Sequence, residues 1–295
     1  MHAWRGSILR MRIAMLALVG CSVPQAVDLD GGANPPDAEL ESGTFDPTGV
    51  DPDTPHLGLG IPTDGTPDDD FLLVHAEFAE SYNKNLNAAN WVSWRTRPVD
   101  FGPAPRYPGP FYPDQTLPSD WFHPDTDEYF SSGFDRGHMV RSEERTMTED
   151  QNIQTFVLTN VLPQTADLNR GVWFDFEQYV QYKVKSFAHP MDAYELAGPI
   201  WPPACATHQP RTAGDGCRDL GATNDPQKRI AIPVSTWKVA VFVPAGEPLA
   251  TATDATVVAV LMPNIAGVMN DHWTKYKTTV AAIEQASGYD IPALH

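Results

Sequence analysis

The run Ser132-Gly133-Phe134-Asp135-Arg136-Gly137-His138-Met139 is followed downstream by Thr159-Asn160-Val161-Leu162-Pro163-Gln164 and then by Leu168-Asn169-Arg170-Gly171-Val172-Trp173 leading to Glu177. An Arg beside a His on a glycine-turned backbone suits phosphate chemistry. The guanidinium fork grips phosphate oxygens while a neutral imidazole takes a proton from water. The same residues also suit a surface turn built on Asp135 and Gly137, and taken alone they do not separate the two readings.

Asn169 and Glu177 add a second requirement. An amide oxygen and a carboxylate are hard oxygen donors of the kind that Mg²⁺ or Mn²⁺ takes, and such ions keep several waters when few protein groups hold them. On one straight helix the two residues would stand about 12 Å apart at about 1.5 Å per residue. They could not then touch one ion. Either Asn169 precedes the helix and the chain bends, or Glu177 acts through a metal-bound water. An N-cap Asn and a solvated Glu would fit the spacing too.

Around these motifs the hydrophobic pattern predicts mostly strands. Phe71-Leu72-Leu73-Val74, Asn90-Trp91-Val92-Ser93-Trp94, Phe156-Val157-Leu158-Thr159, Ile230-Ala231-Ile232-Pro233, the run from Trp237 to Val243, and the run from Thr256 to Leu261 are the candidates. Helical spacing occurs at Trp173, Phe176, Val180 and Val184, and a last helix is expected from Trp273 to Ala286. Pro98 to Pro124 reads as a long Pro-rich passage held by packing of Phe111, Trp121 and Phe122. Strands with a few helices indicate an α+β fold.

The chain has 295 residues, 42% hydrophobic and 10% aromatic, which supports a sizeable core and excludes wholesale disorder. Residues 1–20 carry Arg5, Arg10 and Arg12 and then a short apolar run, the layout of a secretory signal. That run is shorter than the roughly 20 residues that span a bilayer. The signal ends Leu18-Val19-Gly20-Cys21, which resembles a bacterial lipobox, so Cys21 is expected to receive lipid and anchor an exported chain to the membrane. A plain secretory signal with a chance Cys is the alternative.

From residue 21 to residue 70 the sequence is acidic, free of Lys and Arg, and punctuated by Pro and Gly, which predicts a self-repelling tether ahead of a domain at 71–295. The formal charge of −18 excludes a uniformly basic nucleic-acid coat. Without residues 1–20 the chain keeps 17 basic against 38 acidic residues, a net −21, and residues 71–295 keep 17 against 26, a net −9. A local basic cleft remains compatible with that balance. Cys205 and Cys217 fall in a Pro-Gly-rich loop, and export favours a disulfide between them.

The motifs quoted above, in order, resemble the DNA/RNA non-specific endonuclease family of the ββα-metal (His-Me finger) superfamily. The likeness extends through Asn90-Trp91-Val92-Ser93-Trp94, Phe111-Tyr112-Pro113-Asp114, Ser235-Thr236-Trp237-Lys238, Asn270-Asp271-His272-Trp273 and Gly288-Tyr289-Asp290. It implies a mixed or antiparallel sheet core with helices and a ββα-metal finger that carries the active site. It further implies hydrolysis of phosphodiester bonds of DNA and RNA to 5′-phosphate products, with contacts to phosphates. His138 matches the family's general base, and Asn169 its protein ligand to one Mg²⁺ or Mn²⁺. Glu177 matches the residue holding metal-bound water, and Arg136 and Arg106 the phosphate-supporting arginines. Asp135, Asn160 and Gln164 match supporting positions. One position departs from the pattern: where the family often has an Arg one turn after the Glu, this chain has Gln181, which leaves Lys183, Lys185, Arg141 or Arg170 to supply the charge. The competing class is a catalytically weak surface lipoprotein that binds nucleic acid or a protein partner. A metalloprotease is excluded by the absence of His-Glu-x-x-His.

Overall fold

In β9 (Ser235–Pro244), Val239, Val241 and Val243 enter one hydrophobic cluster while Ala240 and Phe242 enter another. A strand whose successive side chains are buried on opposite sides lies in a sheet covered on both faces, which is why its sequence reads as a continuous apolar run. The computed structural model describes residues 55–205 and 207–294. The expected signal, Cys21 and the tether up to residue 54 lie outside the described residues.

The strands ahead of β9 are β1 (Phe71–Val74), β2 (Ala79–Asn83), β3 (Ala88–Thr96), β4 (Asp135–His138), β5 (Val161–Gln164), β6 (Met191–Ile200), β7 (Asp219–Leu220) and β8 (Ile230–Ala231). After it come β10 (Thr256–Pro263) and β11 (Lys277–Thr278). The main sheet has the order β1-β2-β3-β6-β9-β10-β11 and is antiparallel throughout. Strands β4 and β5 form a separate antiparallel pair. The helices are α1 (Glu149–Gln154), α2 (Trp173–Val184) and α3 (Val280–Ser287). One face of the sheet, through Val92, Trp94 and Phe242, packs on Leu162 of β5 and on Trp173, Phe176 and Val180 of α2. The other, through Trp91, Leu196 and Val241, packs on Ile283 of α3, Leu57, Leu59 and Ile291. The architecture is α+β, as the pattern of strands predicts.

Four sequence expectations need correction. Residues 55–70 are packed on the domain, not a free tether: Leu57 and Leu59 are buried, and Thr63 exchanges backbone hydrogen bonds with Asp290. The acidic end of this stretch is held by polar partners. Asn83 Nδ2 donates to Asp69 Oδ2 (3.2 Å), Asn90 Nδ2 to Asp70 Oδ1 (3.0 Å) and the Tyr289 hydroxyl to Asp70 Oδ1 (2.7 Å). Phe156–Thr159 is buried but makes only one bridge, Tyr112 to Val157; Leu158–Asn160 forms a 3₁₀ turn and the strand begins at Val161. The segment from Trp273 to Ala286 is broken into a 3₁₀ turn (Trp273–Tyr276), β11 and α3, because Thr279 caps α3 by accepting from the Ala282 amide (3.1 Å). Of Ile230–Pro233 only the first two residues pair, with β7. Cys205 and Cys217 are joined in a disulfide, with Cα atoms 4.6 Å apart.

A buried charge cluster lies where β3, β6 and β9 meet. Lys238 is fully buried between the rings of Trp94 and Trp173, 4.8 Å from each, with its Nζ 3.5 Å from Glu195 Oε2. Thr96 Oγ1 donates to Glu195 Oε1 (2.9 Å) and Trp94 Nε1 to Glu144 Oε2 (3.1 Å). Burial pushes the Glu195 carboxyl up to about 8; Glu144 pushes the same way, and Lys238 and the Thr96 hydrogen bond oppose. A carboxyl raised in the folded state favours folding least above its folded pKa, so removing its cation should hurt most there. Lys238→Met should therefore cost about 3–5 kcal/mol at pH 9, as for a buried pair that loses one partner. The loss should be smaller at pH 6, where Glu195 can hold a proton. Urea unfolding at both pH values checks this, and equal losses would show that Lys238 acts by packing alone.

Candidate active site

Strand pairing sets the geometry of the motif. Asp135 faces Gln164 across the β4–β5 ladder, Gly137 faces Leu162 and His138 faces Val161. Because side chains alternate along a strand, Arg136 and His138 share one face and Asp135 and Gly137 the other. A Cβ at position 137 would stand 2.1 Å from Gln164 Oε1, so the Gln164 side chain lies where only glycine leaves room. Gln164 is thus a packing partner of the motif, and its Nε2 reaches Thr236 Oγ1 (3.4 Å). Asn160 clamps the chain just past His138: its Oδ1 accepts from the Val140 amide (2.9 Å), and its Nδ2 donates to the Val140 and Thr155 carbonyls (3.1 and 2.8 Å).

His138 is half-buried against Phe111 and Phe156, with ring centroids 4.9 and 5.0 Å away. Its Nε2 is buried and has no hydrogen-bond partner among the described residues, which leaves Nδ1 as the nitrogen able to meet water. Burial first, and then the charge of Arg106 with Arg136 and Arg141, pulls the imidazole down to about 3 against the opposing Glu143. The ring is neutral at ordinary pH.

The bend left open by the sequence is present. Leu168–Val172 forms a π turn in which Gly171 departs from helical angles (φ −109°, ψ −109°), and α2 starts directly after it. Gly171 also passes too close to Met269 to carry a Cβ, which would meet the Met269 carbonyl oxygen at 2.5 Å. The kink lets Asn169 and Glu177 line one cleft of about 650 Å³ together with His138, Arg106, Arg136, Arg141 and Arg170.

Asn169 Nδ2 donates to Asp135 Oδ2 (3.0 Å), and Arg170 closes a two-pronged pair on the same carboxylate (2.7 and 2.6 Å). Burial raises the Asp135 carboxyl, but these hydrogen bonds and the charges of Arg170 and Arg136 outweigh it and hold it below its ordinary value. With its nitrogen committed to Asp135, the Asn169 amide is oriented with Oδ1 as its free acceptor. Glu177 is 6% exposed; burial drives its carboxyl up to about 7, against the pull of Lys238 and Arg141.

The cations are distributed differently from the expectation. Lys183 lies over Phe242 (5.8 Å) and Lys185 over Phe101 (5.0 Å), and neither lines this cleft. Of the four residues that could make up for Gln181, it is Arg141 that occupies the neighbourhood of Gln181. Its Nη1 donates to Gln181 Oε1 (3.0 Å) and Gln178 Oε1 (2.8 Å), and its Nε stands 3.0 Å from Glu143 Oε2 and 3.5 Å from Glu177 Oε2. Arg106 does reach the cleft, bonded to Ser142 Oγ, 3.4 Å from Glu143 and over the Phe156 ring. Arg136 lies over Phe111 at 5.0 Å. Sequence reading also missed Phe174, which stacks beneath Arg141 and lines the cleft beside Glu177.

The model of the DNA/RNA non-specific endonuclease family matches residues 58–293. Among curated proteins the chain is 36% identical to a nuclease of Nostoc sp. over 80% of its own length and 79% of the relative's. It is 26% identical to the mitochondrial endonuclease G of Caenorhabditis elegans over 75% and 67%. It is likewise 26% identical to human mitochondrial nuclease EXOG over 78%, where it spans 58% of that longer protein. A crystal structure of an EndoG/EndoGI complex shares the fold, with a TM-score of 0.63 at 21% identity over 80% of this chain and 89% of that one. With the family model matching residues 58–293, which include the His138–Asn169–Glu177 cleft, the chain belongs to the DNA/RNA non-specific endonuclease family.

Proposed function

We propose that this enzyme hydrolyses phosphodiester bonds of both DNA and RNA, leaving 5′-phosphates, with His138 as general base. The observation that carries the reading is the meeting of two things in one cleft: a neutral imidazole and an asparagine amide turned by Asp135 so that its oxygen is free. That oxygen and the buried Glu177 carboxylate are a donor set suited to one Mg²⁺ or Mn²⁺, with Asn169 as direct ligand and Glu177 acting through water. When bound, the ion supplies positive charge to the crowded phosphorus centre and the departing 3′ oxygen.

His138 Nδ1 removes a proton from the water that attacks phosphorus in line with the 3′ oxygen. Arg106 and Arg136 orient the phosphate and Arg141 contributes the charge that Gln181 lacks. Burial does most to hold the imidazole proton-poor, but the arginine charges that add to it are those a phosphate neutralises, so substrate offsets that part as it arrives. Contacts to phosphates carry no direct sequence information, consistent with indifference to base and sugar. We also propose that the exported chain is tethered to a membrane by lipid on Cys21.

Base and ligand should fail differently. His138→Ala removes proton transfer, typically worth 10²–10⁴-fold, keeps Mg²⁺ affinity, and should be partly rescued by imidazole. Asn169→Ala should weaken Mg²⁺ binding and regain rate with added metal but not with imidazole. Plasmid digestion with calorimetry reads both, and Mg²⁺ binding lost in the first variant and kept in the second would reverse the roles. For the displaced cation, Arg141→Gln should weaken substrate binding and flatten its salt dependence by about one counterion. The double variant Arg141→Gln/Gln181→Arg should restore the slope. A slope untouched by either change would mean that Arg141 does not face the phosphates. Cys21→Ala should move the protein from the membrane to the soluble fraction, and a mature N-terminus other than residue 21, found by mass spectrometry, would refute the anchor.

A further inference from the structure

Away from the cleft, three side chains from separate parts of the chain converge on one point. His75 follows β1, Glu80 lies in β2, and Asp114 lies in the Pro-rich passage beyond the Tyr112 bridge. His75 Nε2 stands 3.2 Å from Glu80 Oε1 and 3.4 Å from Asp114 Oδ2. Glu80 is wholly buried and Asp114 is 2% exposed.

An ordinary ion pair explains this poorly. The contact with Glu80 is a hydrogen bond (3.2 Å), but one ring N–H can serve both oxygens only by being shared between them, and both separations exceed the about 2.7–2.9 Å of charge-assisted hydrogen bonds. A protonated imidazole would still leave two buried carboxylates with one positive charge. Two further polar atoms lack hydrogen-bond partners among the described residues: Glu80 Oε2, and the hydroxyl of Tyr82, which is 1% exposed and electrostatically coupled to both carboxylates. A divalent cation satisfies all of this. Tetrahedral ligands about 2.0–2.1 Å from a zinc ion lie about 3.3–3.4 Å from one another, close to the two separations found here.

We propose that His75, Glu80 and Asp114 form a second metal site, independent of the nuclease cleft, that takes a transition-metal dication of the Zn²⁺ class, with water or the Tyr82 hydroxyl completing the shell. Asp114 is already oriented for this role. Its Oδ1 accepts from the Thr116 amide (2.8 Å) and hydroxyl (2.7 Å), and its Oδ2 from Thr159 Oγ1 (2.8 Å). Thr159 precedes Asn160, the residue that clamps the chain after His138. The metal would therefore brace the back of the active-site strand without touching substrate.

The test uses Zn²⁺ alone with the whole exported domain, stripped of metal by chelator and desalted. Wild type should take up Zn²⁺ at this site with a rise in melting temperature, and Asn169→Ala should keep that uptake. His75→Gln and Glu80→Gln should each weaken it at least tenfold. Co²⁺ in place of Zn²⁺ should give the visible bands of a four-coordinate site in wild type and in Asn169→Ala, but not in His75→Gln. Should Glu80→Gln fail to fold, His75→Gln and nitrogen NMR of His75 decide the matter. Zn²⁺ uptake indifferent to His75, or a His75 ring protonated on both nitrogens in excess Zn²⁺, would overturn the site and leave an ion-paired triad. Nuclease activity plays no part in these readouts, so the proposed catalytic roles can fail while this site stands.

Discussion

The carboxylate of Asp135 joins the two halves of the candidate active-site cleft. It lies on β4, three residues before His138, and it grips Asn169 and Arg170 on the turn before α2. Three residues of extended strand span about 10 Å, so one short rigid segment fixes how far the imidazole stands from the amide oxygen. The rest of the local structure protects that distance. Gly137 admits the Gln164 side chain against β4, Asn160 pins Val140 on both its amide and its carbonyl, and Gly171 lets the turn pass beneath Met269. A residue with a Cβ at either glycine would move one half of the cleft relative to the other.

An acidic protein with a polyanionic substrate has to concentrate its positive charge and keep it pointed outward. Four arginines line the cleft, and three of them, Arg106, Arg141 and Arg170, are tied to carboxylates at its rim and floor. These ties contribute little to stability because several are exposed. They hold long side chains in place, so less ordering entropy remains to be lost when phosphate arrives. They also mean that Glu143, between Arg106 and Arg141, has to share its two partners with the incoming phosphate.

Residues whose role depends on local pattern were legible in the sequence, and those whose role depends on contacts across the fold were not. The spacing of Trp173, Phe176, Val180 and Val184 gave α2 with its ends correct, since one helical face is buried along its whole length. His138, Asn169 and Glu177 stood in recognisable spacing and do meet. The apolar run at Phe156–Thr159 carries no period, so burial there could not be told from strand pairing. Trp273–Ala286 looked helical because its apolar residues fall at helical intervals on both sides of the Thr279 cap, and only the pairing of Lys277 and Thr278 with β10 reveals the break. Composition misled at residues 55–70: acidity suggests a solvated tether, yet Asn83, Asn90 and Tyr289 supply hydrogen bonds that no local pattern announces. Arg141 was legible only as one of four candidate cations, because what singles it out is the approach of Gln178 and Gln181 from another element.

The main sheet, buried on both faces, has no surface on which to build a cleft, and the candidate site lies instead on the small β4–β5 pair and the turn leading into α2. The sheet still acts on the site through charge. Lys238, deep in β9, is the largest of the opposing influences on the Glu177 carboxyl, ahead of Arg141 at the cleft itself. With the carboxyl raised to about 7 even so, Glu177 is poised between its two protonation states near neutral pH. A carboxylate that is to attract a cation gains from a desolvated setting only if something keeps it ionised. Lys238 pulls toward the ionised form from below, held in place by the rings of Trp94 and Trp173 and beside Glu195. The buried polar cluster at the centre of the fold is therefore part of the electrostatics of the cleft, and the core and the site could not be altered independently at this point.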